Sequence, residues 1–446
     1  MLKAGFISLG CAKNLVDTEV MLGLLRQKGF EIIDQPEVAD LLIVNTCSFI
    51  SSAKEESIDT ILQMAAYKKT GKCRSLIVAG CLGQRYPEEL LAELPEVDAI
   101  LGTGAWHRIN EAVEATLENG RRVVFADADK TLYDETTPRV TTTPFYSAYV
   151  KVAEGCDNCC SYCVIPLVRG GFRSRPMDSI VAEVKQLVER GVKEVNLIAQ
   201  DTTSYGKDNS DEGPQLVALL KRLVLIEGLQ WIRLLYCYPS HFSDELIELI
   251  AQEDKICKYI DLPLQHSHDG VLRAMNRRDN RASVVALLDK LRKRIPGLAL
   301  RTTFIVGFPG ETEEQFNDLH AFIAEQRFDR VGIFTYSQEE GTVAGDMEEQ
   351  IAEEVKQERY HQLMALQSKI SEELNQALEG GVMDVLIEAV DQEKEETLAM
   401  GRSYREAPEV DGMIYVEGAG DAKPGDVVKV RILQGFTYDV VGERLA

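Results

Sequence analysis

The sequence predicts an α/β multidomain protein with three parts: a doubly wound parallel α/β domain, an incomplete (β/α)6 barrel and a small carboxyl-terminal β-barrel. Three observations support this prediction. Short apolar runs alternate with amphipathic segments over residues 1–119, six further strand candidates recur within residues 142–378, and period-two alternation broken by Gly and Pro fills residues 381–446. The chain has 446 residues, which is enough for two or three domains with cores of their own.

The amino-terminal domain is predicted over residues 1–119. Its strands are expected at residues 4–9, 40–45, 75–79 and 99–102, and its helices at residues 14–27, 51–67, 88–94 and 107–117. Strands that alternate with helices in this way form a parallel sheet with helices on both faces. Residues 120–141, which contain a Thr-Thr-Pro stretch, are predicted to be a linker.

Three cysteines of this domain lie just past the ends of predicted strands. Cys11, Cys47 and Cys81 each follow a strand by one to three residues. Because ligands of open α/β sheets bind outside the carboxyl ends of the strands, we expect the three thiols to meet at one rim and to hold a metal cluster. Three buried cysteines that merely cap strands are the alternative, since free Cys is commonly buried. Cys73 precedes its strand and is expected at the opposite rim.

The barrel is predicted over residues 142–378. Its strand candidates are residues 148–153, 194–199, 231–236, 259–264, 299–306 and 330–336. Barrel chemistry takes place at the carboxyl ends of the strands. Gln200 and Asp201 end the second strand and are expected at that edge, although an Asp at a strand end more commonly caps the next turn. Arg301 lies inside an apolar strand, where a guanidinium requires an anionic partner: either a ligand or a local Asp or Glu.

Residues 155–166, GCDNCCSYCVIP, are the stretch with the clearest chemistry. The spacing C-x3-C-x2-C of Cys156, Cys160 and Cys163 supplies one thiolate fewer than the four that a 4Fe–4S cluster normally takes. We therefore expect one iron to remain open to a substrate or cofactor. Cys159 permits the alternative triad of Cys156, Cys159 and Cys163. A zinc knuckle would need a second pair of Cys or His at short range, and the nearest downstream histidine is His241.

The composition indicates which kinds of partner and which cellular compartment suit the protein. The 49 basic and 72 acidic residues give a formal net charge of −23, which repels nucleic acid and attracts a basic protein, although many enzymes are acidic simply for solubility. From residue 381 to the end, seven Lys or Arg face fourteen Asp or Glu. Ten cysteines without a secretory signal indicate reduced thiols in a cytoplasmic protein, and no apolar stretch is long enough to span a membrane.

Two motifs resemble known families. The C-x3-C-x2-C spacing with the aromatic Tyr162 before its third cysteine resembles the motif of radical S-adenosylmethionine (radical SAM) enzymes, and Cys160 is the middle ligand that leaves the aromatic in that place. The segments SLGCAKNLVDTE at residues 8–19 and VNTC at residues 44–47 resemble the amino-terminal domain of methylthiotransferases. The SLGCAKN segment is similar to the corresponding segment of the methylthiotransferase branch that acts on ribosomal protein S12. The β-rich carboxyl-terminal part resembles the TRAM domain that follows the methylthiotransferase core.

This resemblance implies cofactors and site residues. It implies two 4Fe–4S clusters, each held by three thiolates: Cys156, Cys160 and Cys163 for the cluster that binds S-adenosylmethionine, and Cys11, Cys47 and Cys81 for an auxiliary one. It further implies that Tyr162 lies beside the cofactor. By the same resemblance, Gln200 and Asp201 would contact the amino group of S-adenosylmethionine, and Arg301 would contact its carboxylate.

The implied activity is the addition of a methylthio group to the β-carbon of an aspartate of ribosomal protein S12 by a 5′-deoxyadenosyl radical. A cofactor must supply the radical, because the C–H bond at that carbon is not acidic enough for a side-chain base. A basic protein substrate and no stable nucleic-acid complex fit the charge.

Two other functions remain open from the sequence. A tRNA (N6-isopentenyladenosine-type) methylthiotransferase would share every cysteine, whereas a non-catalytic two-cluster electron carrier would need four ligands per cluster. The electron donor and the sulfur source are not specified by the sequence.

Overall fold

The computed structural model describes residues 1–127, 131–209, 213–391 and 398–445. Within these residues, the amino-terminal sheet has six parallel strands in the order β2-β1-β3-β4-β5-β6. The strands are β1 (Lys3–Ser8), β2 (Glu31–Ile33), β3 (Leu41–Thr46), β4 (Ser75–Gly80), β5 (Ala99–Leu101) and β6 (Val123–Phe125). The helices are α1 (Ala12–Gln27), α2 (Ser51–Thr70), α3 (Cys81–Arg85), α4 (Pro87–Glu93) and α5 (Ile109–Val113).

Alternate residues of the central strands build two separate cores. Leu41 and Ile43 of β3 pack with apolar residues of α1 on one face of the sheet. Leu42 and Val44 pack with apolar residues of α2 on the other face. Side chains of a strand point alternately to its two faces, so a strand that is apolar throughout must be covered on both sides. The predicted doubly wound parallel domain is confirmed.

The middle of the chain forms an open parallel sheet in the order β14-β13-β12-β11-β10-β7, which is the predicted incomplete barrel. Its strands are β7 (Ser147–Lys151), β10 (Glu194–Ile198), β11 (Trp231–Leu234), β12 (Ile256–Asp261), β13 (Ala299–Val306) and β14 (Arg330–Thr335), and a small hairpin adds β8 (Ala153–Glu154) and β9 (Arg173–Ser174). The helices are α6 (Ile165–Arg169), α7 (Met177–Glu189), α8 (Leu216–Leu223), α9 (Asp244–Gln252), α10 (Asp269–Ala274), α11 (Arg281–Arg294), α12 (Glu313–Gln326) and α13 (Glu353–Gln376).

The amino-terminal domain packs against the strands of the barrel. Its buried residues Val16 and Val20 on α1 share one apolar cluster with Tyr149 of β7, Ile198 of β10 and Tyr259 of β12. A separate, larger cluster joins the other side of the barrel strands to the surrounding helices. The carboxyl ends of β1, β3 and β4 are thereby held next to the barrel loop that carries the second group of cysteines.

The carboxyl-terminal module is a closed five-stranded barrel in the part of the chain that the structure describes, as predicted. Its strands are β15 (Val382–Asp391), β16 (Leu398–Arg402), β17 (Ile414–Glu417), β18 (Val427–Gly435) and β19 (Val440–Arg444). Arg402 reaches into the core of the protein and donates a 2.8 Å hydrogen bond to the fully buried Glu194 at the start of β10. This buried ion pair attaches the module to the barrel of residues 142–378.

Some elements were missed by the sequence pattern. The short strands β2 and β19 have no counterpart in the prediction, and β6 lies inside the segment predicted to be a linker. Strands of three to five residues carry too little periodicity to be recognised alone, and they form here because a longer neighbour supplies their hydrogen bonds. The domain boundaries at residues 119, 141 and 378 stay predictions. No helix of the described ranges has the length and apolar character needed to cross a bilayer.

Candidate active site between two thiolate triads

The amino-terminal triad consists of Cys11, Cys47 and Cys81. Cys11 lies three residues beyond β1, and the other two directly follow β3 and β4, which are neighbouring parallel strands. Their strand ends therefore bring the three residues to one rim, as predicted. The Cys11 and Cys47 loops are in close contact, because a Cβ atom added to Gly10 would lie 2.9 Å from the Cβ atom of Cys47. Gly10 also has a φ of 86°, which favours glycine.

Two buried asparagines tie these loops together. The Asn14 side-chain amide donates hydrogen bonds to the carbonyl oxygens of Leu9 (3.0 Å) and Thr46 (2.9 Å). Asn45 in turn donates to the carbonyl oxygen of Asn14 over 2.8 Å. The Cys81 thiol lies 3.7 Å from Asn14 Oδ1. A single side chain thus reaches the loop of each cysteine in this triad.

The second triad lies on one loop between β8 and α6. Within it, the backbone amide of Cys163 donates to the carbonyl oxygen of Cys160 over 3.0 Å, and the amide of Asn158 donates to the Cys156 sulfur over 3.5 Å. The loop begins at Gly155, where an added Cβ would lie 2.1 Å from the Gly171 carbonyl oxygen. Only glycine fits this position, so the close approach of two backbones shapes the loop.

Cys159 differs from its three neighbours. It is exposed, whereas Cys156, Cys160 and Cys163 are partly buried. Its φ of 50° is in the left-handed region, and its carbonyl oxygen accepts a hydrogen bond from Asn276. The geometry therefore separates Cys159 from the set of Cys156, Cys160 and Cys163, although the identity of the ligands stays a prediction.

Burial and local charge give the thiols of the two triads different pKa values. Burial raises the pKa of Cys81 and of Cys163 to about 12 and that of Cys156 to about 11. Burial would also raise the pKa of Cys11, but the positive charges of Lys13 and Arg169 outweigh it and lower that pKa. Cys11 is therefore the thiol of the amino-terminal triad that ionises most readily.

Arg169, at the end of α6, bridges the two triads. Its guanidinium donates to Glu154 over 2.8 Å and to Asp17 over 3.2 Å, and it also contacts Asn14 and lies 3.8 Å from the Cys81 sulfur. Glu154 and Arg169 flank the loop of the second triad, while Asp17 and Asn14 belong to α1. This ion network fixes the two cysteine loops relative to each other.

Lys13 and Arg169 were not singled out from the sequence. Lys13 lies two residues after Cys11, is 5% exposed, and has its ammonium 3.0 Å from the centre of the Tyr236 ring. A charged residue inside an apolar stretch is the only sequence signal for either residue, because their partners are far away in the chain.

Gln200 and Asp201 lie at the carboxyl end of β10, beside the second triad. Gln200 donates to Glu154 over 3.0 Å, and its buried Oε1 atom has no hydrogen-bond partner among the described residues. An unsatisfied buried acceptor suits a ligand that donates a hydrogen bond. Asp201 accepts from Asn158 over 2.9 Å and from the Ser204 hydroxyl over 2.8 Å, so it caps the following turn.

The electrostatics of Asp201 follow from these contacts. Burial would raise its pKa, but hydrogen bonds from His241, Thr203 and Asn158 lower it to about 2. Asp201 is thus ionised at neutral pH, and it orients Asn158 inside the cysteine loop.

Tyr162 and Arg301 have different environments. Tyr162 packs against an apolar cluster that includes Val271 and Phe308, and its pKa is raised well above the usual value by burial and by the neighbouring Cys160. Arg301 is paired with Asp261 at 2.9 Å and with Asp411 of the carboxyl-terminal module at 3.7 Å. Its anionic partners are therefore local carboxylates, which is the second of the two alternatives that the sequence left open.

A cleft opens between the domains at this rim. Its volume is about 210 Å3. It is lined by residues that follow Cys47, by Tyr162 and by the ends of β13 and β14: Phe49, Ile50, Tyr162, Gln265, Thr303, Ile305, Phe334, Thr335, Tyr336, Ser337 and Glu339. Both cysteine loops thus contribute to one mostly apolar cleft, which is the usual character of a ligand site.

The residues present fit iron–sulfur clusters better than a single metal ion. Within the described ranges, no three His, Cys, Asp or Glu side chains are grouped so as to hold one metal ion. A 4Fe–4S cluster takes one thiolate on each iron that the protein binds, so three thiols around a larger volume would hold three of its irons and leave one open. Each triad supplies three cysteines on one rim, and the free Gln200 Oε1 atom lies beside the second triad.

Comparison with known proteins places each part of the chain. Residues 3–102 match the family described as uncharacterized protein family UPF0004, residues 150–323 match the radical SAM superfamily, and residues 380–445 match the TRAM domain. Among solved structures, the radical S-adenosylmethionine methyltransferase TsrM from Kitasatospora setae has a TM-score of 0.57 at 16% identity, covering 77% of this chain and 74% of that one. This likeness shows the shared fold alone.

Curated relatives extend over nearly the whole chain. The ribosomal protein uS12 methylthiotransferase RimO of Geotalea uraniireducens is 53% identical over 441 residues, which are 99% of this chain and 98% of the relative. The protein of the same name from Desulforamulus reducens is 54% identical over 440 residues, or 98% of each chain. The chain therefore belongs to the family of the ribosomal protein uS12 methylthiotransferases RimO, within the radical SAM superfamily.

Proposed function

We propose that this protein adds a methylthio group to the β-carbon of an aspartate of ribosomal protein uS12. The observation that carries the proposal is that the loops of two three-cysteine groups from different domains both contribute residues to one cleft and are bridged by Arg169. A site of this kind suits a reaction with two cluster-dependent parts. The full-length relatives named for this activity support the substrate.

We assign one 4Fe–4S cluster to each triad. Cys156, Cys160 and Cys163 would hold the cluster that binds S-adenosylmethionine, and Cys11, Cys47 and Cys81 would hold the auxiliary one. When bound, these groups supply the radical chemistry that removes hydrogen from an unactivated carbon and the sulfur that replaces it.

Residues around the loop of the second triad would bind and orient S-adenosylmethionine. The free Gln200 Oε1 atom is available to accept a hydrogen bond from the cofactor's amino group. Glu154 and Asp201 are held by their own partners, which fixes Gln200 and Asn158 in place. Tyr162, packed among apolar side chains, excludes water from the side of the cleft nearest to Cys160. Arg301, paired with two carboxylates, serves to hold the carboxyl-terminal module in place.

Charge favours a basic protein over RNA. The formal net charge of −23 and the acidic carboxyl-terminal module would attract a positively charged polypeptide and give no counterion release on nucleic acid. We therefore expect no stable complex with tRNA. A ribosomal protein is made in the cytoplasm, and we place the enzyme there.

The test is a direct comparison of substrates. The anaerobically reconstituted and reduced protein is incubated with S-adenosylmethionine and either a peptide spanning the modified aspartate of uS12 or tRNA, and the products are weighed by mass spectrometry. We expect the peptide to gain a methylthio group in place of one hydrogen and the tRNA to remain unchanged. A mass gain on tRNA alone would replace the proposed substrate. Failure to cleave S-adenosylmethionine would instead favour an electron carrier.

A further inference from the structure

The parallel sheet of the barrel ends in two edge strands, β7 and β14, and the chain itself closes the edge at β7. The carbonyl oxygens of β7 that face away from β10 accept hydrogen bonds from side chains: Ser147 from Thr143 (2.7 Å), Tyr149 from Arg139 (2.8 Å) and Lys151 from Arg175 (2.9 Å). An edge whose carbonyl groups are satisfied in this way does not offer a template for pairing with another chain.

Strand β14 forms the other edge, and its outward backbone groups have no partner among the described residues. The amide of Tyr336 donates to the carbonyl oxygen of Val306 over 2.8 Å. Only alternate residues of a parallel strand bond to a given neighbour, so Val331, Ile333 and Thr335 face away from β13. In the ranges that the structure describes, neither the amide nor the carbonyl group of these three residues makes a hydrogen bond. The edge at β14 is therefore open.

Two cavities adjoin this edge, one at each end of β14. The cleft beside the cysteine loops is lined by residues 334–336. A second cavity, with a volume of about 290 Å3, is lined by residues 330–332, by Gln367 of α13 and by Asp411 of the carboxyl-terminal module. Residues along almost the whole strand thus border open space, which leaves room for a further strand beside β14.

Buried polar atoms without a partner border the second cavity. Gln367 is 2% exposed and donates to the carbonyl oxygen of Phe328 over 2.9 Å, whereas its Oε1 atom has no hydrogen-bond partner among the described residues. The Nε atom of Arg330 is likewise buried and unpaired in this part of the chain. Buried polar groups are normally satisfied, and a bound polypeptide brings both N–H donors and carbonyl acceptors. The two atoms therefore suit a backbone that enters this cavity.

Apolar side chains are exposed beside both cavities. Phe334 is 49% exposed at the cleft, and Val410 and Tyr438 are 57% and 50% exposed at the second cavity. When a peptide adds a strand to a sheet edge, main-chain hydrogen bonds supply affinity and contacts to alternate side chains supply specificity. Both kinds of contact are available along β14.

We propose that the free edge of β14 binds, as an added β-strand, the segment of uS12 that flanks the modified aspartate. The inference rests on the proposed function and deepens it, because it names the surface that holds the substrate polypeptide. Strand β14 is about 20 Å long and ends at the cleft to which both cysteine loops contribute. A strand bound along it would extend one end into that cleft.

Charge favours the substrate over a second copy of this chain as the occupant of the edge. Each copy has a formal net charge of −23, so two copies repel each other, whereas a basic ribosomal protein is attracted.

The first experiment scans the backbone of the substrate. Peptides that span the modified aspartate of uS12 each carry one N-methyl group, at successive positions, and their binding to the reconstituted protein is measured by fluorescence anisotropy. N-methylation removes one N–H donor and leaves the side chains unchanged. We expect affinity to fall on the order of fivefold at every second position and to change little at the positions between, because a strand bonded along one edge uses alternate amides. Losses without this period of two would overturn the inference.

The second experiment measures amide hydrogen exchange of the protein at single-residue resolution, with and without the unmodified peptide at saturation. We expect the amides of Val331, Ile333 and Thr335 to exchange on the order of tenfold more slowly with peptide, since their N–H groups are then bonded, and those of β7 to be unchanged. No slowing in β14 would contradict the inference. Slowing that grows with protein concentration in the absence of peptide would show that a second copy occupies the edge, which also overturns it.

The third experiment removes one donor from the protein. Val331→Pro deletes an outward N–H and leaves the bonds between β13 and β14 in place, since Pro is tolerated at such edge positions. We expect peptide affinity to fall on the order of fivefold, with iron content and circular dichroism as in wild type. Ile32→Pro is the matched control. Strand β2 is an edge of the amino-terminal sheet, and Ile32 faces away from β1 because the amide of Glu31 donates to Leu2.

The control variant should bind the peptide as wild type does, and wild-type affinity in a folded Val331→Pro would count against the inference. If Val331→Pro does not fold, the peptide scan still decides, because it leaves the protein unaltered. Wild-type protein that does not modify the unmethylated peptide would contradict the proposed function. Modification of that peptide without a period of two in the scan would contradict the role of β14 alone.

Discussion

The two thiolate triads are built in opposite ways. Cys156, Cys160 and Cys163 lie on one loop, and their spacing depends on local backbone geometry that begins at Gly155. Cys11, Cys47 and Cys81 come from three strands of a sheet, and they meet only when β1, β3 and β4 are paired in register. The first arrangement can form from a short segment, whereas the second requires a folded domain.

Because of this difference, we expect the two cysteine sites to respond differently to substitutions. A loop site tolerates small movements of the surrounding domain but fails if its own residues change. A site at a sheet edge depends on remote side chains such as Asn14, which hydrogen-bonds to loops on both sides. A substitution can therefore remove a thiol from one triad, or disturb the positions of its thiols, while leaving the other triad intact.

Substitution in the loop site should have the largest effect. Cys160→Ala removes a predicted ligand of the cluster that binds S-adenosylmethionine, so we expect cofactor cleavage and methylthio transfer to fall to background. Bound iron should drop by about half, since about four of some eight irons belong to each cluster. Iron analysis and chromatography of the cleaved cofactor measure both effects. Cys159→Ala is the matched control and should retain activity; loss in Cys159→Ala with retention in Cys160→Ala would exchange the two cysteines in the ligand set.

Substitution at the sheet edge should separate the two halves of the reaction. We expect Cys47→Ala to lose the auxiliary cluster and methylthio transfer while S-adenosylmethionine is still cleaved, because the loop triad is unchanged. The cleaved cofactor and the peptide mass are measured in the same reaction. Cys73→Ala is the control, since this buried thiol lies at the opposite rim, where its sulfur is hydrogen-bonded to the Ser75 carbonyl oxygen. Methylthio transfer by Cys47→Ala would refute the assignment of the second cluster.

Much of this comparison could be predicted from sequence because it depends on where strands end. The alternation of apolar runs and helices located β1, β3 and β4, and parallel strands bring the residues beyond their ends to one rim. The spacing of Cys156, Cys160 and Cys163 can be read directly from the sequence. Both predictions use local sequence signals, which can be recognised without knowing which segments are neighbours in the folded protein.

The remaining features depend on contacts between distant segments. Arg301 was predicted to need an anion, but one of its partners, Asp411, belongs to a different domain. Arg169 was not singled out, because one of its partners, Asp17, lies 152 residues away in the chain. Strand β6 forms because β5 offers an edge, and its own three residues do not indicate it. Pairing of this kind is a property of the assembled structure.

Asn14→Ala should weaken the sheet-edge site without removing a ligand. The substitution leaves the Leu9 and Thr46 carbonyl oxygens without their donor, at a cost of roughly 1–3 kcal/mol. We expect partial loss of the auxiliary cluster, measured as iron retained after gel filtration, with cofactor cleavage close to that of wild type. The comparison is Asn158→Ala, which disturbs the loop site instead and should lower cofactor cleavage while the auxiliary cluster remains. Equal loss of both clusters in Asn14→Ala would mean that the two sites are not independently built.

The smallest effect is expected at the contact that holds the two domains together beside the cleft. Glu339, which follows β14, accepts hydrogen bonds from Lys54 of α2 (2.8 Å) and from Arg85 of α3 (2.7 Å). Burial would raise the pKa of Glu339, but these cations and Ser337 lower it below the ordinary 4.5. The ionised carboxylate therefore stabilises the domain contact above pH 4.5, and this contribution is lost as the pH falls through the lowered pKa.

Replacing Glu339 by Gln should remove that contribution and make the contact independent of pH in the acid range. At pH 7 we expect amide hydrogens of α2 to exchange about tenfold faster in Glu339→Gln, corresponding to roughly 1.5 kcal/mol for hydrogen bonds to a charged group. Each variant is compared with wild type at the same pH, so that the intrinsic pH dependence of exchange cancels. The ratio should approach one as the pH falls well below 4.5, because wild-type Glu339 is then also neutral. A ratio that stays constant with pH would mean that Gln alters packing and that the charge of Glu339 does not stabilise the contact between the amino-terminal domain and the barrel.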